Sequence, residues 1–120
     1  MSFNPRNMSP AAQQQMVRYQ QISQSLDAVI QKKAQLESQL KQATFAIEEL
    51  EKAGEDATVF RSIGGIFIKS DQEKLLKDTQ DEKETLEMRK KSVNTQEERL
   101  RKQHEDLTKK IKEIMGNPDQ

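Results

Sequence analysis

From Tyr19 to Leu50 the apolar residues fall on alternating steps of three and four: Tyr19, Ile22, Leu26, Val29, Leu36, Leu40, Ala43, Ile47 and Leu50, with Lys33 the one polar member. That spacing is a five-heptad seam, which suits a long helix laid against another helix and little else. Nothing between Ala11 and Lys52 is Gly or Pro, and the surrounding residues are mostly Gln, Glu, Lys and Ser. The helix is expected over residues 10–53. Ser9 followed by Pro10 supplies an N-cap and a first-turn proline, and Gly54 supplies the stop.

A second seam follows in strict sevens. Thr79, Leu86, Val93, Leu100, Leu107 and Ile114 occupy one heptad position, while Leu76, Lys83, Lys90, Glu97, His104 and Ile111 occupy its companion. One stripe is apolar and the other is polar through its middle. Ser70 with Glu73 reads as a capping box, with Asp71 adding negative charge to the first turn, so this helix is expected over residues 70–115. Gly116, Asn117 and Pro118 end it. Each helix has roughly 43 to 46 residues, or about 65 Å at 1.5 Å per residue. Equal lengths around a short connector predict an antiparallel pair.

The connector changes composition. Thr58, Val59, Phe60, Arg61, Ser62 and Ile63 lead into Gly64 and Gly65, then Ile66, Phe67, Ile68 and Lys69. β-Branched and aromatic residues around a Gly-Gly pair mark a hairpin with a two-residue turn whose central residues need positive φ. The chain therefore divides into a flexible arm (1–9), a first coiled-coil helix (10–53), a β-hairpin (57–69), a second helix (70–115) and a tail (116–120). The fold class is mainly α. A lone two-stranded hairpin is marginal in water, and this one carries Val59, Phe60, Ile63, Ile66, Phe67 and Ile68 on two faces with unpaired edges. Edge-to-edge joining of several hairpins into an oligomeric sheet or barrel is the economical remedy.

Composition agrees. Of 120 residues only 32% are hydrophobic and 33% are charged, with mean hydropathy -0.98, too little apolar matter for a compact core. Twenty basic residues balance twenty acidic ones, so the net field that gathers nucleic acid or anionic lipid is missing. The absence of cysteine excludes a disulfide framework and fits a reducing interior. No stretch reads as a signal peptide or a membrane span, and the expected setting is soluble and cytoplasmic.

No catalytic constellation emerges. His104 is the single histidine and sits on a seam position without companions for metal binding or acid/base work. Glu48, Glu49, Glu51, Glu97 and Glu98 alternate with basic residues at helical spacing and read as a solvated face. Gly64 and Gly65 lack the lysine and strand context of a phosphate loop and read as turn glycines. The basic runs Arg89, Lys90, Lys91 and Lys109, Lys110, Lys112 lie among acids on the same helix, which favours a solvated face over a phosphate contact. No cofactor is expected. Met8, Met16, Tyr19, Leu107, Ile111, Ile114 and Met115 gather near the helix termini, where they either close the coil or form an adaptable methionine-bearing surface for many partners.

The hairpin ATVFRSIGGIFIKSD resembles the corresponding segment of prefoldin β-class subunits. Its flanks, AIEELEKAGEDA and EKETLEMRKKSVNTQEERL, are similar to the archaeal type on either side, and the resemblance runs from about Gln14 to Met115. One hairpin, rather than the longer insert of α-class chains, points to the β class. The resemblance implies a non-enzymatic, ATP-independent holdase: a hexamer of two α-class and four β-class subunits with hairpins in a β-barrel platform. It further implies that coiled-coil tips hold unfolded proteins and pass them to a group II chaperonin. Carried onto this chain, the client-binding residues are Met16, Tyr19, Leu107, Ile111, Ile114 and Met115, and Lys109, Lys110 and Lys112 are candidates for chaperonin docking. The N-terminal arm departs from the family in its length and its two prolines, Pro5 and Pro10. The competing expectation is a structural coiled-coil scaffold, which needs a continuously apolar seam; the Lys83, Lys90, Glu97 stretch favours the holdase.

Overall fold

A computed structural model describes residues 9–116. The expected arm over residues 1–8, with Phe3 and Met8, and the terminators Asn117 and Pro118 lie outside the described residues. The element order is α1 (Pro10–Ala53), β1 (Val59–Ile63), β2 (Ile66–Ser70) and α2 (Gln72–Met115).

Capping explains each helix boundary. The Ala12 amide donates to Ser9 Oγ at 3.2 Å and the Gln13 amide to the Ser9 carbonyl at 3.0 Å, so Ser9 is the N-cap and Pro10 gives up no bond by lacking an N–H. Gly54, at φ 82°, closes α1 in the left-handed conformation that side chains avoid. The start of α2 differs from the expected Ser70–Glu73 box. Ser70 is the last residue of β2, paired with Val59, and the cap passes to Asp71. Its carboxylate accepts from the Lys74 amide at 3.3 Å and its carbonyl from the Leu75 amide at 2.9 Å. Strand pairing claims the serine, and the next side chain able to cap takes over. Gly116, at φ 71°, ends α2.

The chain forms two compact units. One comprises residues 33–92, holding the hairpin with the adjoining parts of both helices; the other, among the described residues, comprises the remaining parts of α1 and α2.

In the hairpin unit Leu36, Ala43, Leu50 and Leu86 form the buried apolar seam. The polar stripe is accommodated at the flank, where Lys90 reaches Glu37 on α1 at 3.7 Å. Gln72 is an unexpected core member, 5% exposed, whose Nε2 donates to the Leu50 carbonyl at 2.7 Å. It lies one heptad before Thr79 and fastens the hairpin-proximal end of the seam. Gln72→Ala is expected to lower stability by about 1–2 kcal/mol, the net worth of a buried hydrogen bond together with the lost packing. Urea unfolding followed by circular dichroism checks this, and an unchanged midpoint contradicts it.

In the second unit Ala12, Ile22, Leu26, Val93 and Leu107 are the buried residues. The polar stripe continues with Glu97, held by Arg101 at 2.7 Å, and His104, whose ring lies 4.8 Å from that of Tyr19.

Candidate functional site

Two surfaces expose apolar side chains in groups, and each follows from its local geometry. On the hairpin, Gly64 and Gly65 take φ 55° and 84°, the positive values that a two-residue turn matched to strand twist requires. The register pairs Ile63 with Ile66, Ser62 with Phe67, Arg61 with Ile68, Phe60 with Lys69 and Val59 with Ser70. Because directly opposed residues share a face, Val59, Arg61, Ile63, Ile66, Ile68 and Ser70 form one face, and Phe60, Ser62, Phe67 and Lys69 the other. A two-residue loop makes Ile63–Ile66 a hydrogen-bonded pair, so the backbone groups of Phe60, Ser62, Phe67 and Lys69 point outward along the two free edges.

Both faces are apolar and open. Ile63, Ile66 and Ile68 are 53%, 66% and 51% exposed on one, Phe60 and Phe67 55% and 72% on the other. Among the large apolar side chains of the hairpin, Val59 alone is half-buried, lining a groove of about 610 Å³ with Leu50, Leu75 and Thr79. Such a surface on so small a sheet combines an exposed hydrophobic patch with unpaired strand edges.

The second surface lies at the helix termini. The Tyr19–His104 stack sets the antiparallel level there. Counted along an antiparallel pair from that level, Ile111 falls opposite Ala12 and Ile114 opposite Ser9, the first of the described residues. Ile114 is 41% exposed although it occupies a core position of the repeat, and the neighbouring Met115 is 48% exposed. Leu107 is 6% exposed and belongs to the closed part of the coil. Met16, Tyr19 and Ile111 are half-buried. Val17, next to Met16 in the chain, is 54% exposed. It lies off the seven-residue repeat, and its signal in the sequence was a β-branched apolar residue beside Met16 at a position the seam does not need.

Lys109, Lys110 and Lys112 are all exposed, with Lys109 3.3 Å from Glu105. Phe45 and Met88, 64% and 68% exposed on the outer faces of their helices, also escaped a reading confined to the seam. Among the described residues no three His, Cys, Asp or Glu gather to hold a metal ion, and no helix is long and apolar enough to cross a membrane.

Comparison with known proteins identifies the combination. A family model described as prefoldin subunit matches residues 13–117. The prefoldin β subunit of Methanosarcina acetivorans is 36% identical over 109 residues, covering 91% of this chain and 93% of that protein. The β subunit of Saccharolobus islandicus is likewise 36% identical, covering 91% and 86%. The crystal structure of the prefoldin β subunit from Thermococcus strain KS-1 superposes with a TM-score of 0.81 at 28% identity, covering 93% of this chain and 98% of that one. Two long helices around one antiparallel hairpin, matched over nearly the whole length, place the chain in the prefoldin family as a β-type, non-enzymatic chaperone subunit that forms hetero-oligomers with other prefoldin subunits.

Proposed function

We propose that this chain serves as the β-class subunit of an ATP-independent holdase in the cytoplasm. Its hairpin joins those of other subunits edge to edge in a β-barrel platform, within a hexamer of two α-class and four β-class chains. Val59, Phe60, Ile63, Ile66, Phe67 and Ile68 supply the buried side chains, and Gly64 and Gly65 the turn. The helix termini hold unfolded proteins and pass them to a group II chaperonin. Met16, Tyr19, Ile111, Ile114 and Met115, with Val17, form the client surface; Leu107 supports it from the core. Lys109, Lys110 and Lys112 provide cations for docking to the chaperonin.

The observation that carries this reading is the failure of the seam at Ile114 and Met115, where large apolar side chains stand 41% and 48% exposed. A scaffold that needs only a closed coil has no use for them, whereas a surface for unfolded chains requires exposed, adaptable apolar groups. The test is light scattering from a chemically unfolded model protein, diluted into buffer containing this subunit assembled with an α-class partner and no nucleotide. Suppression near stoichiometric amounts is expected. Undiminished aggregation in the presence of a properly assembled complex leaves the scaffold as the better account.

A further inference from the structure

We infer that Arg61 and Asp78 are a positioning pair that sets the pose of the hairpin on α2, and through it the strand pairing between subunits; this rests on the hairpin-mediated assembly proposed above. Arg61 projects from the middle of β1, opposite Ile68. Its Nη2 donates to Asp78 Oδ2 at 2.6 Å across seventeen residues of chain. Asp78 stands in the second turn of α2, so the bond ties the strand to the helix that follows the hairpin. Around the bond, Phe60 and Arg61 of β1 line one groove with Leu75, Asp78 and Thr79 of α2.

The pair suits positioning better than stabilisation. Its side chains are 42% and 39% exposed, and ion pairs so open to solvent add little to folding free energy. Its leverage is geometric. Each strand has five residues, which makes the hairpin about 16 Å long, so a tilt of about 15° at its base carries the turn about 4 Å sideways, nearly one strand spacing. Beyond Val59 the large apolar side chains of the hairpin are more than half exposed, so packing within the chain holds its outer part weakly. The arginine fork provides a directional contact at mid-strand, which a lysine ammonium supplies less well.

The chain has no cysteine, so paired spin labels can be placed at Ser62→Cys on β1 and Glu84→Cys on α2 in the full-length protein. A narrow distance distribution is expected for the parent chain. Arg61→Met and Asp78→Asn, each of similar size to the original, are expected to broaden it with helix content unchanged. The same two variants, without labels, should weaken assembly with the α-class partner about five- to tenfold in sedimentation. The reversed pair Arg61→Asp with Asp78→Arg should recover both properties, which a loss of packing alone does not predict. Unaltered distances and assembly in both single variants overturn the inference, as does a reversed pair no better than either. If the parent chain fails to assemble with its partner, the assembly reading fails, while the distance distributions still decide whether the pair sets the pose.

Discussion

Ile66→Asp combined with Phe67→Asp is expected to abolish assembly with partner prefoldin subunits while leaving the helices of this chain folded. The two residues follow the turn directly and are the most exposed large apolar side chains of the hairpin, at 66% and 72%. They point to opposite faces, since Ile66 opposes Ile63 and Phe67 opposes Ser62. One of the two aspartates therefore meets the interior of the assembled sheet whichever face turns inward. Burying a large apolar side chain contributes about 1.5–3 kcal/mol, and that gain is lost. Removing an unpaired carboxylate from water costs several kcal/mol more. The sum corresponds to weakening of at least about a thousandfold. In the isolated chain both side chains already stand in water, so the penalty there is confined to strand propensity, at most about 1 kcal/mol. Sedimentation velocity of the mixed subunits, with circular dichroism of the variant alone, separates the two effects. Complexes of parental size at parental concentrations show that the hairpin is not the assembly element.

The features readable from the sequence are those that repeat or that depend on immediate neighbours. The seam from Ile22 to Leu50 and the Gly64–Gly65 turn needed only periodicity and backbone sterics. What escaped depends on pairing between distant residues. Ser70 is a good capping residue by local rules, yet Val59, eleven residues earlier, holds it in the strand. Gln72 continues the heptad series one step before Thr79, but a polar residue at a core position becomes intelligible only when the Leu50 carbonyl it meets is known. Leu107 and Ile114 are equivalent members of the same repeat; one is 6% exposed and the other 41%. A seven-residue repeat assigns both to the core and carries no information about where the closed part of the coil ends. The Arg61–Asp78 bond spans the hairpin and the helix after it, beyond any local pattern.

That distinction within one repeat decides how the client surface must be tested. Replacing Leu107, Ile111 and Ile114 together by serine confounds two effects, because Leu107 is part of the closed core and large-to-small substitution at such a site costs about 2–5 kcal/mol. The discriminating variant is Val17→Ser, Ile114→Ser and Met115→Ser, which changes side chains already 54%, 41% and 48% exposed. Each has roughly half its surface left to bury against a client, worth about 1 kcal/mol, so the triple variant should weaken client binding at each coil about a hundredfold. Where several coils of the proposed complex hold one client, the loss compounds. Aggregation suppression should fall by at least about an order of magnitude at equal complex concentration, with the thermal midpoint and sedimentation unchanged. Leu107→Ser is the contrasting control: its thermal midpoint should drop, and any loss of activity should follow that drop with temperature. If the triple variant suppresses aggregation as well as the parent, clients are held elsewhere on the helices. The exposed Phe45 and Met88, with Ile30, then become the residues to replace, since among the described residues they are the exposed large apolar side chains that the seam, the hairpin and the helix termini leave unused.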